Sequence, residues 1–432
     1  MNNRCDSDTL ALVAGLRTPF CKAGGALQQV AAADLATHVF RELLDRTPIR
    51  PDAIDEVILG CAGPDAREAN VARVAALRAG LPSHVPAMTV MRNCASGMEA
   101  VLQAEQKLRA GQGEVFLVGG AESMSNFPLL MGPALVKFFA RLGKARSLPQ
   151  RLRALLSFRF GALKPRIAVL EGLTDPTIGM SMGDTAEKVA RQFGIGRAAM
   201  DAWALQSHRR AAAAQKERLA AEIVPFVGRP FREAVRTDDG VRAEQSFDAL
   251  QRLKPVFDRR EGDVTVGNAC QITDGAVALL CMSLRKCKQL GLSPLALVRG
   301  TGTAGLSPAT MGLGPVHATP KALAAAGVQL SAIDRVELNE AFAAQVLGCL
   351  QAFADDGYCQ RELGLPGALG EIDPARVNCN GGAIALGHPI AASGARLVLT
   401  LAHELRRSGG RFGLATLCIG GGQGQAVVLE AA

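Results

Sequence analysis

Two distant stretches of this chain echo each other. Ala95-Ser96-Gly97 opens a helical stretch, and a strand-like run ending in Gly119-Gly120 follows it. Ala392-Ser393-Gly394 opens another, and the run from Phe412 to Cys418 follows that. The offset is 297 residues, from 95 to 392, and it maps Cys94 onto Ala391 and Ala121 onto Cys418. An internal duplication of this kind predicts an α/β fold of two halves with one topology, each a sheet covered by helices. In the first half, Asp55–Gly60 and Gly113–Gly120 read as short buried strands ending in glycine. A long stretch interrupts that half, which resumes at Gly262-Asp263-Val264-Thr265-Val266. The division read from the sequence is 1–126 for the start of the first half, 127–246 for the insertion, 247–302 for the remainder of the first half and 303–432 for the second half.

Composition agrees with this reading. Apolar residues make up 48% of the chain but aromatics only 4%, so the core must be Ala, Val and Leu, with glycines allowing close packing. That suits helices laid on a buried sheet and excludes a disordered or fibrous chain. The 11 cysteines are scattered, with no Cys-x-x-Cys pair and no zinc spacing. Reduced, mostly buried thiols are expected. The start, Met1-Asn2-Asn3-Arg4-Cys5-Asp6, has no apolar signal region, and no run of about 18 apolar residues follows. A cytoplasmic location is the expectation.

The net charge of +8 has one address. Nine Lys and Arg lie between Phe127 and Leu170 without one Asp or Glu, which leaves the rest of the chain at −1. General nucleic-acid binding is therefore a poor account of the basicity, and none is expected. Pro133–Arg146 reads as an amphipathic helix, with Lys137, Arg141 and Lys144 on one face and Leu135, Phe138, Phe139 and Leu142 on another. The basic segment 133–166 has three readings: a solvated face, a docking surface for a partner subunit or anionic lipid, and electrostatic capture of a ligand's phosphates.

Three short segments carry chemistry. Asn93-Cys94-Ala95-Ser96-Gly97 puts a thiol where a strand turns into a helix, and the dipole of that helix partly activates it. Gly387-His388-Pro389 offers a base flanked by residues that fix the backbone and admit close neighbours. Cys418-Ile419-Gly420-Gly421-Gly422 offers a second thiol beside backbone N–H groups able to hold an oxyanion. Two thiols and an imidazole suffice to make and break a thioester. A fourth segment, Glu337-Leu338-Asn339-Glu340-Ala341-Phe342, closes an apolar strand, and Asn339 there is equally readable as a helix cap.

Together with Arg17-Thr18-Pro19-Phe20 and Met311-Gly312-Leu313-Gly314-Pro315, these segments resemble the thiolase family over nearly the whole chain. The resemblance implies a duplicated thiolase fold, a five-layer αβαβα arrangement with an inserted CoA-binding loop domain. It also implies roles. Cys94 would carry the acyl group, and His388 would deprotonate it. Asn339 would hold a water in one oxyanion hole, and the N–H groups of Cys94 and Gly420 would form the other. Cys418 would act as the second acid/base. Cys270, Ala269 and Met182 would contact the CoA pantetheine. The implied reaction is a ping-pong Claisen cleavage of 3-oxoacyl-CoA to acetyl-CoA and a shortened acyl-CoA, an acyltransferase activity. CoA is the co-substrate, and no metal or redox cofactor is needed.

The basic insert is most similar to thiolase subunits of fatty-acid β-oxidation complexes. These imply a hydratase/dehydrogenase partner, peripheral membrane contact through 133–166 and a homodimer or tetramer. Two departures stand out: Asn339 where such subunits often have His, and Cys270 where the family commonly has Ser. Other readings are a biosynthetic acetyl-CoA C-acetyltransferase, a decarboxylating 3-oxoacyl synthase and a non-catalytic acyl-CoA-binding scaffold subunit.

Overall fold

The computed structural model describes residues 9–228 and 233–432. The Met1–Asp6 stretch, with Cys5, lies outside the described residues. Among these residues, the path of the main sheet has nine strands: β1 (Leu10–Arg17), β2 (Glu56–Gly60), β3 (Ala87–Val90), β4 (Val115–Ser123), β5 (Thr273–Ser283), β6 (Ala296–Gly305), β7 (Arg335–Leu338), β8 (Phe412–Ile419) and β9 (Gln423–Ala431). Their order is β7-β8-β9-β6-β1-β5-β4-β2-β3. The duplication is visible in the pairing. β2 runs parallel to β4, which runs antiparallel to β5, which runs antiparallel to β1. Likewise β7 runs parallel to β8, β8 antiparallel to β9, and β9 antiparallel to β6. Only two residue pairs join the half-sheets, Ala11 with Leu297 and Leu12 with Ala296. The junction drawn at residue 302 falls inside β6.

Outside the insert, the helices that cover these sheets are α1 (Ala32–Arg46), α2 (Val71–Arg78), α3 (Ser96–Arg109), and then α9 (Gly314–Ala326), α10 (Ala343–Ala354) and α11 (Ile390–Ser408). The insert contributes α4 (Pro133–Lys144), α5 (Leu148–Leu156), α6 (Ala168–Gly172), α7 (Met182–Phe193) and α8 (Arg197–Ala214). Layering follows from the two-residue period of a strand. Val115 and Leu117 of β4 face Leu35, Val39 and Phe40 of α1. Phe116 and Val118 face the other way, onto a core shared with Met98 of α3 and Leu397 of α11. In β9, Val427 and Leu429 join that same central core, while Ala426 and Val428 join Val316 of α9 and Val346 of α10. The order is helices, sheet, α3 with α11, sheet, helices: five layers.

The repeated glycines make the central layer possible. A Cβ on Gly97 would lie 2.5 Å from the Ala391 carbonyl oxygen, and one on Gly394 would lie 2.7 Å from the Met98 nitrogen. Any larger residue would push the two helix starts apart.

Two expectations shift. The basic helix ends at Lys144, two residues before the predicted Arg146. The first half, expected to resume at Gly262, rejoins the sheet at Thr273. The Glu187 carboxylate takes the N–H groups of Asp263 (3.1 Å) and Val264 (2.9 Å), so they cannot serve a strand ladder. Among the described residues, no helix is long and apolar enough to cross a membrane.

Candidate active site

The nucleophile turn is built from its own residues. β3 ends at Val90 and α3 begins at Ser96. Asn93 takes a φ of 44°, the left-handed region that Asn tolerates. The Ser96 hydroxyl donates to the Asn93 carbonyl (2.7 Å) and accepts from the Arg92 N–H (2.9 Å). Asn93 Nδ2 donates to the Gly420 carbonyl at 3.0 Å, which ties this turn to the glycine hairpin. In that hairpin Gly421 and Gly422 have φ of 91° and 78°, which lets β8 reverse into β9 immediately after Ile419.

The Ser of the second repeat serves the base. Ser393 Oγ lies 2.6 Å from His388 Nδ1 and donates to the Pro389 carbonyl at 3.4 Å. The hydroxyl proton being used there, the ring proton is assigned to Nδ1, donating to Ser393. Nε2 is then left with its lone pair, and it has no protein partner. The backbone of His388 is held by a hydrogen bond from its N–H to the Gln271 carbonyl (3.1 Å). Glu340 fastens the loop before it by accepting from Trp203 Nε1 (3.0 Å), Ser207 Oγ (2.7 Å), Asn378 Nδ2 (2.9 Å) and the Ile384 N–H (3.2 Å).

A cavity of about 160 Å³ brings the predicted residues together. Cys94, His388, Cys418, Gly420, Cys270 and Met182 all line it. Asn339 and Ala269 do not. Ala269 pairs with Phe342 through its backbone, one residue from the wall. Asn339 is fully buried at the end of β7, and neither of its side-chain atoms has a protein partner. It is no cap: α10 is preceded by Phe342, without a side-chain cap. The insert closes the far wall with Phe127, Val169, Gly172 and Leu173.

The electrostatics of the cavity are dominated by burial. Burial pushes the Cys94 thiol up to about 11, although the backbone amides of Gly420 and Cys94 pull it down. The expected activation by the helix start is thus outweighed by desolvation. Burial pushes His388 down to about 4, with Arg396 adding to the effect, so the ring is neutral at pH 7. Cys418 is raised well above the usual thiol range by burial and by Cys94, Cys349 and Cys270; Cys270 is pushed up to about 12. Neutral thiols beside a neutral imidazole are what a proton-transfer site needs before substrate arrives. Among the described residues, no cluster of three or more His, Cys, Asp or Glu could hold a metal.

Sequence reasoning missed Ser393, Gln271 and Glu340. Ser393 had a signal, its place in the repeated Ala-Ser-Gly.

Residues 10–285 match the family model for the thiolase N-terminal domain, and residues 292–431 match that for the thiolase C-terminal domain. A 3-ketoacyl-CoA thiolase of Pectobacterium atrosepticum is 41% identical, over 98% of this chain and 97% of its own. One from Yersinia enterocolitica is 39% identical over the same shares. Among solved structures, an acetyl-CoA acetyltransferase of Bacillus anthracis is similar, with a TM-score of 0.85 and 37% identity, over 98% of this chain and 99% of its own. Human mitochondrial 3-ketoacyl-CoA thiolase in complex with CoA has a TM-score of 0.83 and 34% identity, over 98% of each chain. The chain belongs to the thiolase family.

Proposed function

We propose that this chain is a 3-oxoacyl-CoA thiolase of fatty-acid β-oxidation, an acyltransferase that works without metal or redox cofactor. The observation that carries the reading is the pairing of two thiols, Cys94 and Cys418, with the free Nε2 of His388 in one cavity. His388 takes the Cys94 proton. The thiolate attacks the 3-oxo carbon, and the bond between C2 and C3 breaks. The N–H groups of Cys94 and Gly420 hold the oxyanion formed at the attacked carbon, while Cys418 protonates the departing acetyl-CoA enolate, whose thioester oxygen rests on His388 and the water held by Asn339. The acyl group stays on Cys94 until CoA, deprotonated in turn, carries it away. Asn339 holds a water beside the cavity; its orphaned side chain calls for one.

Residues 127–246 form the loop domain that binds CoA. A trough of about 580 Å³ lies between this domain and the segment after it, where Lys188, Arg191, Arg259 and Arg260 outnumber Asp184, Glu187 and Asp258 by one, and Phe257 also lines it. Phe257 stacks edge-on at 6.0 Å against Phe342 of the cavity wall. The cations suit CoA phosphates, while Met182, Cys270 and the neighbouring Ala269 reach the pantetheine arm. As a thiol, Cys270 is a weak donor there.

The alternative is an acetyl-CoA acetyltransferase limited to short acyl groups. Phe127, Val169 and Leu173 of the insert favour an acyl tail instead. Thiolysis of 3-oxoacyl-CoA of four and of ten or more carbons, followed by loss of the Mg²⁺–enolate absorbance, decides. Cleavage of the long substrates supports the proposal; activity on acetoacetyl-CoA alone leaves the alternative. Gly172 sharpens the test, because a Cβ there meets nothing within 4 Å. Gly172 is exposed at the rim of the cavity, and Gly172→Leu adds a side chain at that rim without a backbone clash. It lowers kcat/KM for the long substrate by about 10-fold or more, while the four-carbon substrate changes little.

The insert also presents an apolar face with no cover. Leu148, Leu156 and Phe160 are 80%, 78% and 84% exposed, amid Arg151, Arg153 and Arg159. This is the make-up of a segment that lies on anionic lipid or a hydratase/dehydrogenase partner. At about 1 kcal/mol per cation, changing all three Arg to Gln weakens co-sedimentation with anionic liposomes by roughly 100-fold. Turnover of the short substrate survives. Unchanged co-sedimentation removes the lipid reading. Self-association as a dimer or tetramer starts at the edge strand β3, beside Met91, which is 65% exposed. A cytoplasmic enzyme is the setting we assign.

A further inference from the structure

Glu122 is buried with no cation beside it. It sits in β4 one residue after Ala121, the position that the repeat maps onto Cys418, and it is 0% exposed. Its carboxylate accepts from the N–H groups of Ala62 (3.0 Å), Gly63 (3.0 Å) and Ala391 (3.2 Å), and the Cys61 thiol donates to it at 3.6 Å. Both ends of this bracket reach the cavity: Ala62 lines it, and so does Ile390, the residue before Ala391. Ala391 lies three residues after His388, in the first turn of the helix that follows the base.

The duplication gives this contact its meaning. Ala391 occupies in the second half the place of Cys94 in the first. There the helix start carries the nucleophile; here it receives a carboxylate from the first half's central strand, where the helix dipole favours an anion. A buried carboxylate without a counter-cation is costly, so an apolar side chain would serve simple packing better. The carboxylate spans the Cys61–Gly63 loop and the start of α11, which must keep His388 and the cavity wall in register.

We propose that Glu122 is a positioning residue for the thiolase reaction, holding the His388–Ala391 segment in register with the cavity loop Cys61–Gly63. The inference rests on the proposed function, and its test is chosen to stand apart from it. In Glu122→Gln the side-chain shape is kept, but a donor NH₂ replaces one of the two acceptor oxygens and faces backbone N–H groups. In Glu122→Ala the bracket is gone.

The experiment compares both variants with the parent full-length protein. It measures kcat and KM for acetoacetyl-CoA thiolysis, the rate of Cys94 alkylation by iodoacetamide followed by peptide mass spectrometry, and Tm. Expected is a fall in kcat of about 10-fold for Gln and about 100-fold for Ala, the scale of a misplaced catalytic group. KM stays within about three-fold, and Cys94 alkylation slows in parallel. If Glu122→Ala does not fold, Glu122→Gln decides alone. A Gln variant with parental kcat and parental alkylation overturns the proposal. So does one whose KM rises as much as its kcat falls, or whose Tm drops while alkylation stays parental. If the parent shows no thiolysis at all, the functional reading fails, and the alkylation rates still test the positioning role.

Discussion

Replacing Cys94 with alanine abolishes thiolysis, with kcat/KM falling by about 10⁴ or more. The other two thiols that line the cavity are poorer nucleophiles: Cys418 is 1% exposed, and burial holds both Cys418 and Cys270 protonated. The loss is chemical rather than structural, because the fold already accepts alanine at the equivalent site, Ala391, where the second helix start has the same layout. Asn93 and Ser96 keep their bonds to Gly420 and to the turn. The check is mass spectrometry of the protein after incubation with a 3-oxoacyl-CoA. The parent retains an acyl adduct on the peptide containing residue 94, and Cys94→Ala retains none, with Tm within about 2 °C. An adduct that persists elsewhere at the parental rate would refute the assignment of the nucleophile.

Replacing His388 with alanine costs about 10³-fold to 10⁴-fold in kcat, at the upper end for a general base. The reason is the pushed-up thiol of Cys94. With a pKa of about 11, only about one part in ten thousand is thiolate at pH 7, so a base has to take the proton as the bond forms. The pH dependence has a definite sign. His388 is pushed down to about 4, so its Nε2 remains a free base as the pH falls well below the ordinary imidazole range. Cys94 alkylation in the parent therefore persists on the acid side down to about pH 5, where a solvent-exposed imidazole would already be protonated. In His388→Ala the rate instead climbs with each pH unit towards about 11. A parental acid limb centred on the ordinary imidazole pKa, or a His388→Ala profile that matches the parent, would end the general-base role.

Much of this site could be read in the chain itself, for a physical reason. Asn-Cys-Ala-Ser-Gly, Gly-His-Pro and Cys-x-Gly-Gly-Gly are segments whose residues dictate their own backbone. Asn93 tolerates the left-handed turn, Pro389 fixes the backbone just after the imidazole, and Gly421 and Gly422 take positive φ. The two Ala-Ser-Gly copies announced the duplication, and their glycines turn out to be the points where α3 and α11 touch. The five-layer order was implied by the family resemblance, and the alternating burial in β4 and β9 agrees with it.

Contacts between residues far apart in sequence left no such trace. Glu122 meets Ala391 across 269 positions, and Glu340 reaches Trp203 across 137. Asn339 read equally well as a cap until its place at the end of β7 left it without a helix to cap. Residues 262–266 read as the point where the first half resumes; only the folded chain shows Glu187 taking the amides of Asp263 and Val264 there, ahead of the strand at Thr273. Protonation states were the least legible. The sequence determined which groups could do acyl-transfer chemistry, and that they sit at strand–helix and hairpin turns, because those turns are set by neighbouring residues. Tertiary structure decided that Cys94 is not self-activated, that His388 stays neutral and that Gly420 faces the thiol, because burial and approach belong to a cavity assembled from both halves and the insert.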